Sequence, residues 1–302
     1  MRVTQSMLSN NFLKHINQSY DKMGKISEQM NTQKKITRPS DDPVVAMKGI
    51  AYRTNLMEGQ QYKRNFSEAH NWLDNTDAAL DQATKALQRI RELTVQANTG
   101  TLEGNQRDSI AKEIEQLRDQ LKEIANSRVG DKYLFNGTET LTPPVGDITG
   151  NKLDADGNPI YEVSTNNESV KLELGKGIYV EVNSDPTKVF SKDLFSDLNK
   201  LLDKLKPENT SVDLADDLKT LDKNINSLIN ERATIGARSN RVELMEDRID
   251  QQETLATKMM SENEDVDMEK VITDLVVQES VQRAILGMGA RIIQPSLMDF
   301  LR

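Results

Sequence analysis

Two histidines, His15 and His70, are the imidazoles of this 302-residue chain, and neither has a second histidine three or four positions away. The helical zinc pattern, two imidazoles on one face, is therefore missing. Cysteine is absent, which removes thiolate nucleophiles, thiolate metal sites and disulfides. A serine nucleophile on a strand-to-helix elbow would need Gly-x-Ser-x-Gly, and no such run occurs. Gly175-Lys176-Gly177 comes nearest to a phosphate loop. It lacks the upstream glycine and the Ser/Thr after the lysine, so it is expected to be a hairpin turn. Asp154-Ala155-Asp156-Gly157-Asn158 begins like a calcium loop, but Pro159 stands where that loop needs glycine, and a turn is expected instead. Glu262, Glu264, Asp265 and Asp267 form an acidic cluster, expected to be a solvated helix face or a cap. No acid, base and nucleophile come together, so no catalytic residue, metal ligand or cofactor is expected, and the chain is not read as an enzyme.

The composition points to a different kind of role. Hydrophobic residues are 36% of the chain, aromatics 4% and charged residues 29%. An ordinary globular domain holds roughly 45–50% apolar residues with glycine counted. The chain has enough for narrow seams and too little for a thick core. No apolar stretch approaches the ~20 residues of a membrane helix, so no membrane insertion is expected. Residues 1–29 contain no apolar run long enough for a cleaved signal peptide. The net charge of −9 argues against a nucleic-acid partner. Residues 1–40 carry seven Lys/Arg against two Asp/Glu, but these are spread among polar residues and read as a solvated face.

The elements that must position any interface follow from proline and periodicity. Prolines are absent from 44–142 and from 208–294, as expected of long helices. Phe12, Ile16, Tyr20, Met23, Ile26 and Met30 recur at steps of three and four. So do Leu73, Leu80, Leu87, Ile90 and Leu93, then Ile110, Ile114, Leu117, Leu121 and Ile124. A further seam runs through Leu218, Leu221, Ile225, Leu228 and Ile235 and continues over Met245, Ile249, Gln252, Ala256 and Met259. Val271, Leu275, Val281, Ile285, Leu286, Ile292 and Ile293 mark a last helix. These are thin, coiled-coil-like stripes. Asp42 before Pro43 is a helix start, a side-chain acceptor followed by a residue with no amide to satisfy. Asn98-Thr99-Gly100 is a helix stop.

Residues 131–206 differ, with short alternating runs at 132–135, 160–163, 170–174 and 178–182 separated by Asn136-Gly137, Asp156-Gly157 and Gly175-Lys176-Gly177. A short amphipathic helix over Leu194, Leu198, Leu201, Leu202 and Leu205 leads out. The expected fold is mainly α with a β insert: a long helical rod with coiled-coil termini and a small antiparallel β domain inserted mid-chain. Terminal segments 1–41 and 263–302 form one part, 42–130 with 207–262 a helical rod domain, and 131–206 the outer β domain.

Four stretches carry a resemblance to a known family. They are Met1-Arg2-Val3-Thr4-Gln5; Lys34-Lys35-Ile36-Thr37-Arg38-Pro39-Ser40-Asp41-Asp42-Pro43; Leu87 to Asn98 with the region through Phe135-Asn136-Gly137-Thr138; and Ala233-Thr234-Ile235-Gly236-Ala237-Arg238 with Gln294-Pro295-Ser296-Leu297-Met298-Asp299-Phe300-Leu301. The chain resembles the flagellin family, and within it the branch that joins the flagellar hook to the filament. The Ser-Asp-Asp-Pro stretch and the last motif separate that branch from filament flagellin. Gln33 stands where the family commonly has glycine, which argues against a tight turn there.

The resemblance implies a structural subunit that polymerises helically through its terminal helices. The alternatives are filament flagellin and, in another class, a soluble coiled-coil adaptor. The implied partners are copies of itself, the other hook–filament junction protein, filament flagellin and an export chaperone. The implied location is extracellular, in the flagellum, reached without a cleaved signal peptide. Phe12, Ile16, Met23, Val281, Ile285 and Ile292 are the implied assembly interface. Lys34, Lys35, Arg38, Asp41, Asp42 and Pro43 form the loop and helix start, with their charges expected to pair between subunits. Arg89, Leu93 and Glu113 correspond to the face through which flagellins are recognised by a vertebrate innate receptor.

Overall fold

A computed structural model describes residues 5–98, 104–147, 161–206 and 213–292. The helices are α1 (Gln5–Thr32), α2 (Pro43–Ala97), α3 (Gly104–Ala125), α4 (Pro186–Val189), α5 (Lys192–Leu205), α6 (Ala215–Glu264) and α7 (Met268–Ile292). The strands are β1 (Arg128–Val129), β2 (Lys132–Tyr133), β3 (Val145–Asp147), β4 (Tyr161–Val163), β5 (Lys171–Gly175) and β6 (Ile178–Glu181). The family-like start at 1–4, Thr99-Gly100, the loop Asp154 to Pro159 and the closing motif Gln294 to Leu301 lie outside the described residues.

The proline-free stretches are helical. α2 runs unbroken for 55 residues and α6 for 50. Asp42 caps α2, its Oδ1 accepting from the amides of Val44 at 2.9 Å and Val45 at 3.1 Å, with Pro43 as first helical residue. Asp213 Oδ1 accepts from Ala215 N at 2.9 Å at the start of α6. Ser191 caps α5, accepting from Leu194 N at 3.1 Å.

The chain divides into two compact units, residues 1–58 with 251–302 and residues 59–250. The second unit holds the core. Phe66, Leu73, Leu80, Leu87 and Ile90 of α2 are buried with Ile114 and Leu121 of α3, Leu198 and Leu201 of α5, and Leu228 and Ile235 of α6.

Among the described residues the β insert shows three antiparallel two-stranded ribbons, β1–β2, β3–β4 and β5–β6, with no ladder joining them. A lone ribbon is marginal in water. These are held by side chains that enter the helical core, such as Phe135 against Phe190 (centroids 5.0 Å apart) and Tyr161 against Phe195 (5.0 Å). Gly175-Lys176-Gly177 is the turn between β5 and β6, with Gly177 at φ +72°. β1 and β3 carry no alternating pattern of their own in the sequence, because two or three residues are too few to show a period.

The first unit pairs α1 with α7. Phe12 lies against Gly289, Ser19 against Gln278 and Lys34 against Asp265, so the helices run antiparallel. Four apolar residues assigned to seams face outward instead. Tyr20 is 51% exposed, and Ser19 takes the inner position. At 3.6 residues per turn Tyr20 sits roughly 80° round the helix from the line through Phe12, Ile16, Ser19, Met23, Ile26 and Met30. Val281 and Leu286 of α7 are exposed, while Leu275, Gln278, Gln282, Ile285 and Gly289 turn inward. In α6, Met259 is exposed and the half-buried line is Glu253, Ala256 and Met260.

Candidate assembly interface

The interface of the first unit is built from a seam too thin to close on itself. Phe12, Ile16, Met23 and Ile285 are half-buried on the facing sides of α1 and α7. Phe12 lies so close over Gly289 that a Cβ there would sit 2.0 Å from its Cζ. The middle of the seam is polar: Gln278 Nε2 donates to the buried Ser19 Oγ at 2.8 Å. Val281 lies at the margin, on a groove of about 310 Å³ that it shares with Phe12, His15, Ile285 and Met288. Ile292 is the last residue of α7.

Burial separates the two units sharply. Among the described residues of the first unit, Val271 is the one hydrophobic side chain that is buried. Fifteen large apolar side chains of that unit are exposed, among them Met7, Leu13, Tyr20, Val44, Met47, Ile50 and Met57 on α1 and α2 and Ile272, Val276, Val277, Val281 and Met288 on α7. Among its described residues the longer second unit exposes five: Val95, Leu141, Tyr179, Ile229 and Leu244. Fully burying one such side chain contributes roughly 1.5–3 kcal/mol. A concentration of exposed apolar side chains on one unit marks a surface that another molecule covers.

The loop after α1 makes its polar contacts within the chain. Lys34 Nζ lies 2.6 Å from Asp265 Oδ1 and 3.6 Å from Glu264 Oε2. Lys35 Nζ donates to the Glu262 carbonyl at 2.5 Å. Lys25 Nζ is 3.5 Å from Asp41, whose Oδ2 accepts from Arg38 N at 3.1 Å. Within the single chain, Lys34, Lys35 and Asp41 thus already have partners of their own. The hydrogen bond from the Arg38 amide, and after it the charge of Lys25, hold the Asp41 carboxyl below its usual range against the opposing push of desolvation.

The turn at Gln33 is tight after all. Gln33 adopts φ +57°, its carbonyl accepts from Val266 N at 3.0 Å, and Lys35 N donates to the Glu264 carbonyl at 2.6 Å. A one-residue antiparallel bridge, Lys34 to Asp265, sits between these bonds. Two backbone bonds to the segment joining α6 and α7 hold a non-glycine residue in the left-handed region.

The acidic cluster is also more than a solvated face. Asp267 caps α7, accepting from the amides of Glu269 at 3.1 Å and Lys270 at 3.2 Å. Glu264 is 5% exposed and meets Arg53 Nη2 at 2.6 Å. Asp265 takes bonds from Lys34 and from Ser261 Oγ, at 2.5 Å, which hold its carboxyl below the usual range. No periodicity marks Glu264 as buried. The signal that could have found it is Gly49, a glycine inside a long helix, whose missing Cβ leaves the space its carboxylate fills.

In the second unit, Arg89 Nη2 and Nε contact Glu113 Oε1 at 2.8 and 2.9 Å, and Arg89 Nη1 contacts Glu92 at 3.2 Å. Leu93 is 2% exposed. Of the three residues named for receptor recognition, Arg89 and Glu113 present their side chains at the surface. Leu93 is spent in the core, because one helical turn from Arg89 it falls on the inward line with Ile90 and Ala97.

The comparisons with known proteins agree with this arrangement. The bacterial flagellin N-terminal helical region matches residues 3–140 and the bacterial flagellin C-terminal helical region residues 218–301. Flagellar hook-associated protein 3 of Salmonella typhimurium is 27% identical over 300 residues, covering 94% of each chain. Among solved structures, FlgL of Bacillus cereus superposes with a TM-score of 0.57 at 22% identity, over 70% of this chain and 99% of that one. The flagellar junction protein FlgL of Legionella pneumophila gives 0.59 at 15% identity, over 72% and 99%. These two likenesses show the fold. Because the two flagellin regions together take in more than half of the residues, the protein belongs to the flagellin family.

Proposed function

We propose that the chain is a structural subunit of the bacterial flagellum that joins hook to filament. It is not an enzyme. The observation that carries the reading is the contrast between a first unit with one buried and fifteen exposed large apolar side chains and a second unit with its own core. A helix pair so thinly packed gains its stability by covering those faces with neighbouring subunits. Repeated around a helical layer, such head-to-tail contacts build a tube. The similarity to hook-associated protein 3 along nearly the whole chain supports the junction over the filament as its place.

On this reading segments 1–41 and 263–302 form the inner assembly layer, 42–130 with 207–262 the surrounding helical part, and 131–206 the outer surface. Phe12, Ile16, Met23, Val281, Ile285 and Ile292 contribute to the subunit interface. The partners are further copies of this chain, the other junction protein on one side and filament flagellin on the other. A chaperone covers the apolar faces before export, and export proceeds without a cleaved signal peptide.

Electron microscopy of hook–basal bodies from a strain lacking this chain tests the reading. The expected result is complete hooks without filaments, with monomeric flagellin in the medium, restored by the wild-type gene. Filaments of normal number and length on the deletion strain would overturn it.

A further inference from the structure

We propose that Glu264 is a positioning residue: its buried carboxylate locks the turn after α1 to the turn before α7, so that the two terminal helices are presented in one register. The inference rests on the junction reading for its consequence, but the lock itself is a property of the first unit alone.

The seam between α1 and α7 does little to set its own register. Its inward positions include Ser19, Gln278, Gln282 and Gly289, and its apolar members are half-buried. Register in a helix pair is set where large side chains interlock or where a specific polar contact forbids sliding. Phe12 over Gly289 is one such point, near the far end. The other is the joint at the near end.

Cations from two segments converge there on one carboxylate. Arg53 of α2 reaches Glu264 Oε2 at 2.6 Å, and Lys34 of the loop after α1 reaches it at 3.6 Å while also holding Asp265 at 2.6 Å. The Glu264 backbone carbonyl accepts from Lys35 N, and Val266 N returns a bond to Gln33. Asn263, beside it, donates from Nδ2 to the Val45 carbonyl of α2 at 2.9 Å. A buried carboxylate is tolerated only when paired and hydrogen-bonded, so Glu264 is stable in its place only when both cations arrive. The cations come from α2 and from the end of α1, and the carboxylate from the end of α6. The pairing is satisfied only when the loop after α1, α2 and the end of α6, which leads into α7, take one arrangement.

Gly49 makes the lock possible and provides its test. A Cβ at this position would lie 2.3 Å from Glu264 Oε1 and 3.2 Å from Cδ. Gly49→Ala therefore expels the carboxylate while adding a better helix former to α2. Shortening the acid in the double variant Gly49→Ala/Glu264→Asp draws the carboxylate back from the added methyl group.

The experiment measures amide exchange in the full chain and complementation of the deletion strain. In Gly49→Ala, the amides of Lys35 and Val266 are expected to exchange at least tenfold faster, with those of residues 66–97 unchanged, and filament-bearing cells should fall at least tenfold. The double variant should recover a substantial part of both. Unchanged exchange at Lys35 and Val266 in Gly49→Ala would overturn the lock. Faster exchange with normal filaments would overturn the positioning role while leaving the junction function intact. Failure of the wild-type gene to restore filaments would instead count against the junction reading, and the exchange data would still decide the lock.

Discussion

Gln33 holds a backbone conformation that side chains with a Cβ avoid, at a cost of roughly 1–2 kcal/mol. Glycine would adopt it without that strain but would lose more entropy on folding. The net expected for Gln33→Gly is a gain of about 0.5–1 kcal/mol in the joint, seen as several-fold slower exchange at Lys35 and Val266. Faster exchange would show that the Gln33 side chain contributes more than its strain costs. Asp265 gives the joint a pH dependence. Its carboxyl is held low first by the Lys34 bond and then by Ser261. A depressed carboxylate stabilises the folded form above its unfolded value, and that contribution is lost as the pH falls through the lower folded value. Protection factors at Lys35 and Val266 should therefore decline as the pH is lowered from about 5 to about 3, and Asp265→Asn should flatten the decline, since amide titration is absent there. Equal pH profiles in the two proteins would remove Asp265 from the account.

Between helices, the distinction that matters is which side of α7 a residue takes. Ile285 faces α1, whereas Val281, one turn earlier, is 42% exposed. A charge at Ile285 removes a half-buried apolar contact and adds a desolvation cost, so Ile285→Asp should lower the helix content of the monomer and also abolish assembly. Val281→Asp should leave the monomer's circular dichroism unchanged and act only when a neighbour covers it. Both variants should still be made and exported, with filament protein shed into the medium. A strain carrying Val281→Asp that swims normally would show that this side of α7 stays in water in the assembled layer.

Across the whole molecule, core and exposure are divided between the two units. Burial of Phe66, Leu73, Leu80 and Ile90 with Phe135, Phe195 and Leu228 gives residues 59–250 a self-sufficient interior, whereas residues 1–58 with 251–302 bury Val271 alone among their described hydrophobics. Local stability should follow contact density. Limited proteolysis of the monomer is expected to cut first within 1–58 and 251–302 and to leave a resistant fragment containing most of 59–250, identified by mass spectrometry. Equal resistance at the two ends would contradict that division. The same contrast predicts a chain whose first unit gains most of its stability on assembly.

Helix positions, the α2 cap at Asp42 and the β insert were legible in the chain because each depends on neighbours within a few residues: proline exclusion, a side-chain acceptor before Pro43, turn pairs between alternating runs. Family membership was legible in motifs for the same reason, being written in contiguous residues such as Lys34 to Pro43. The side chosen by Tyr20 and Val281 was not, since steps of three and four leave two adjacent lines open and only the partner helix selects one. Leu93 and Arg89 illustrate the same limit, one turn apart yet divided between core and surface. The joint lay beyond local reading altogether. Gln33, Lys34, Gly49, Arg53 and Glu264 meet across more than two hundred residues of chain, and a carboxylate becomes a buried lock only when folding withdraws it from water and brings its cations to it.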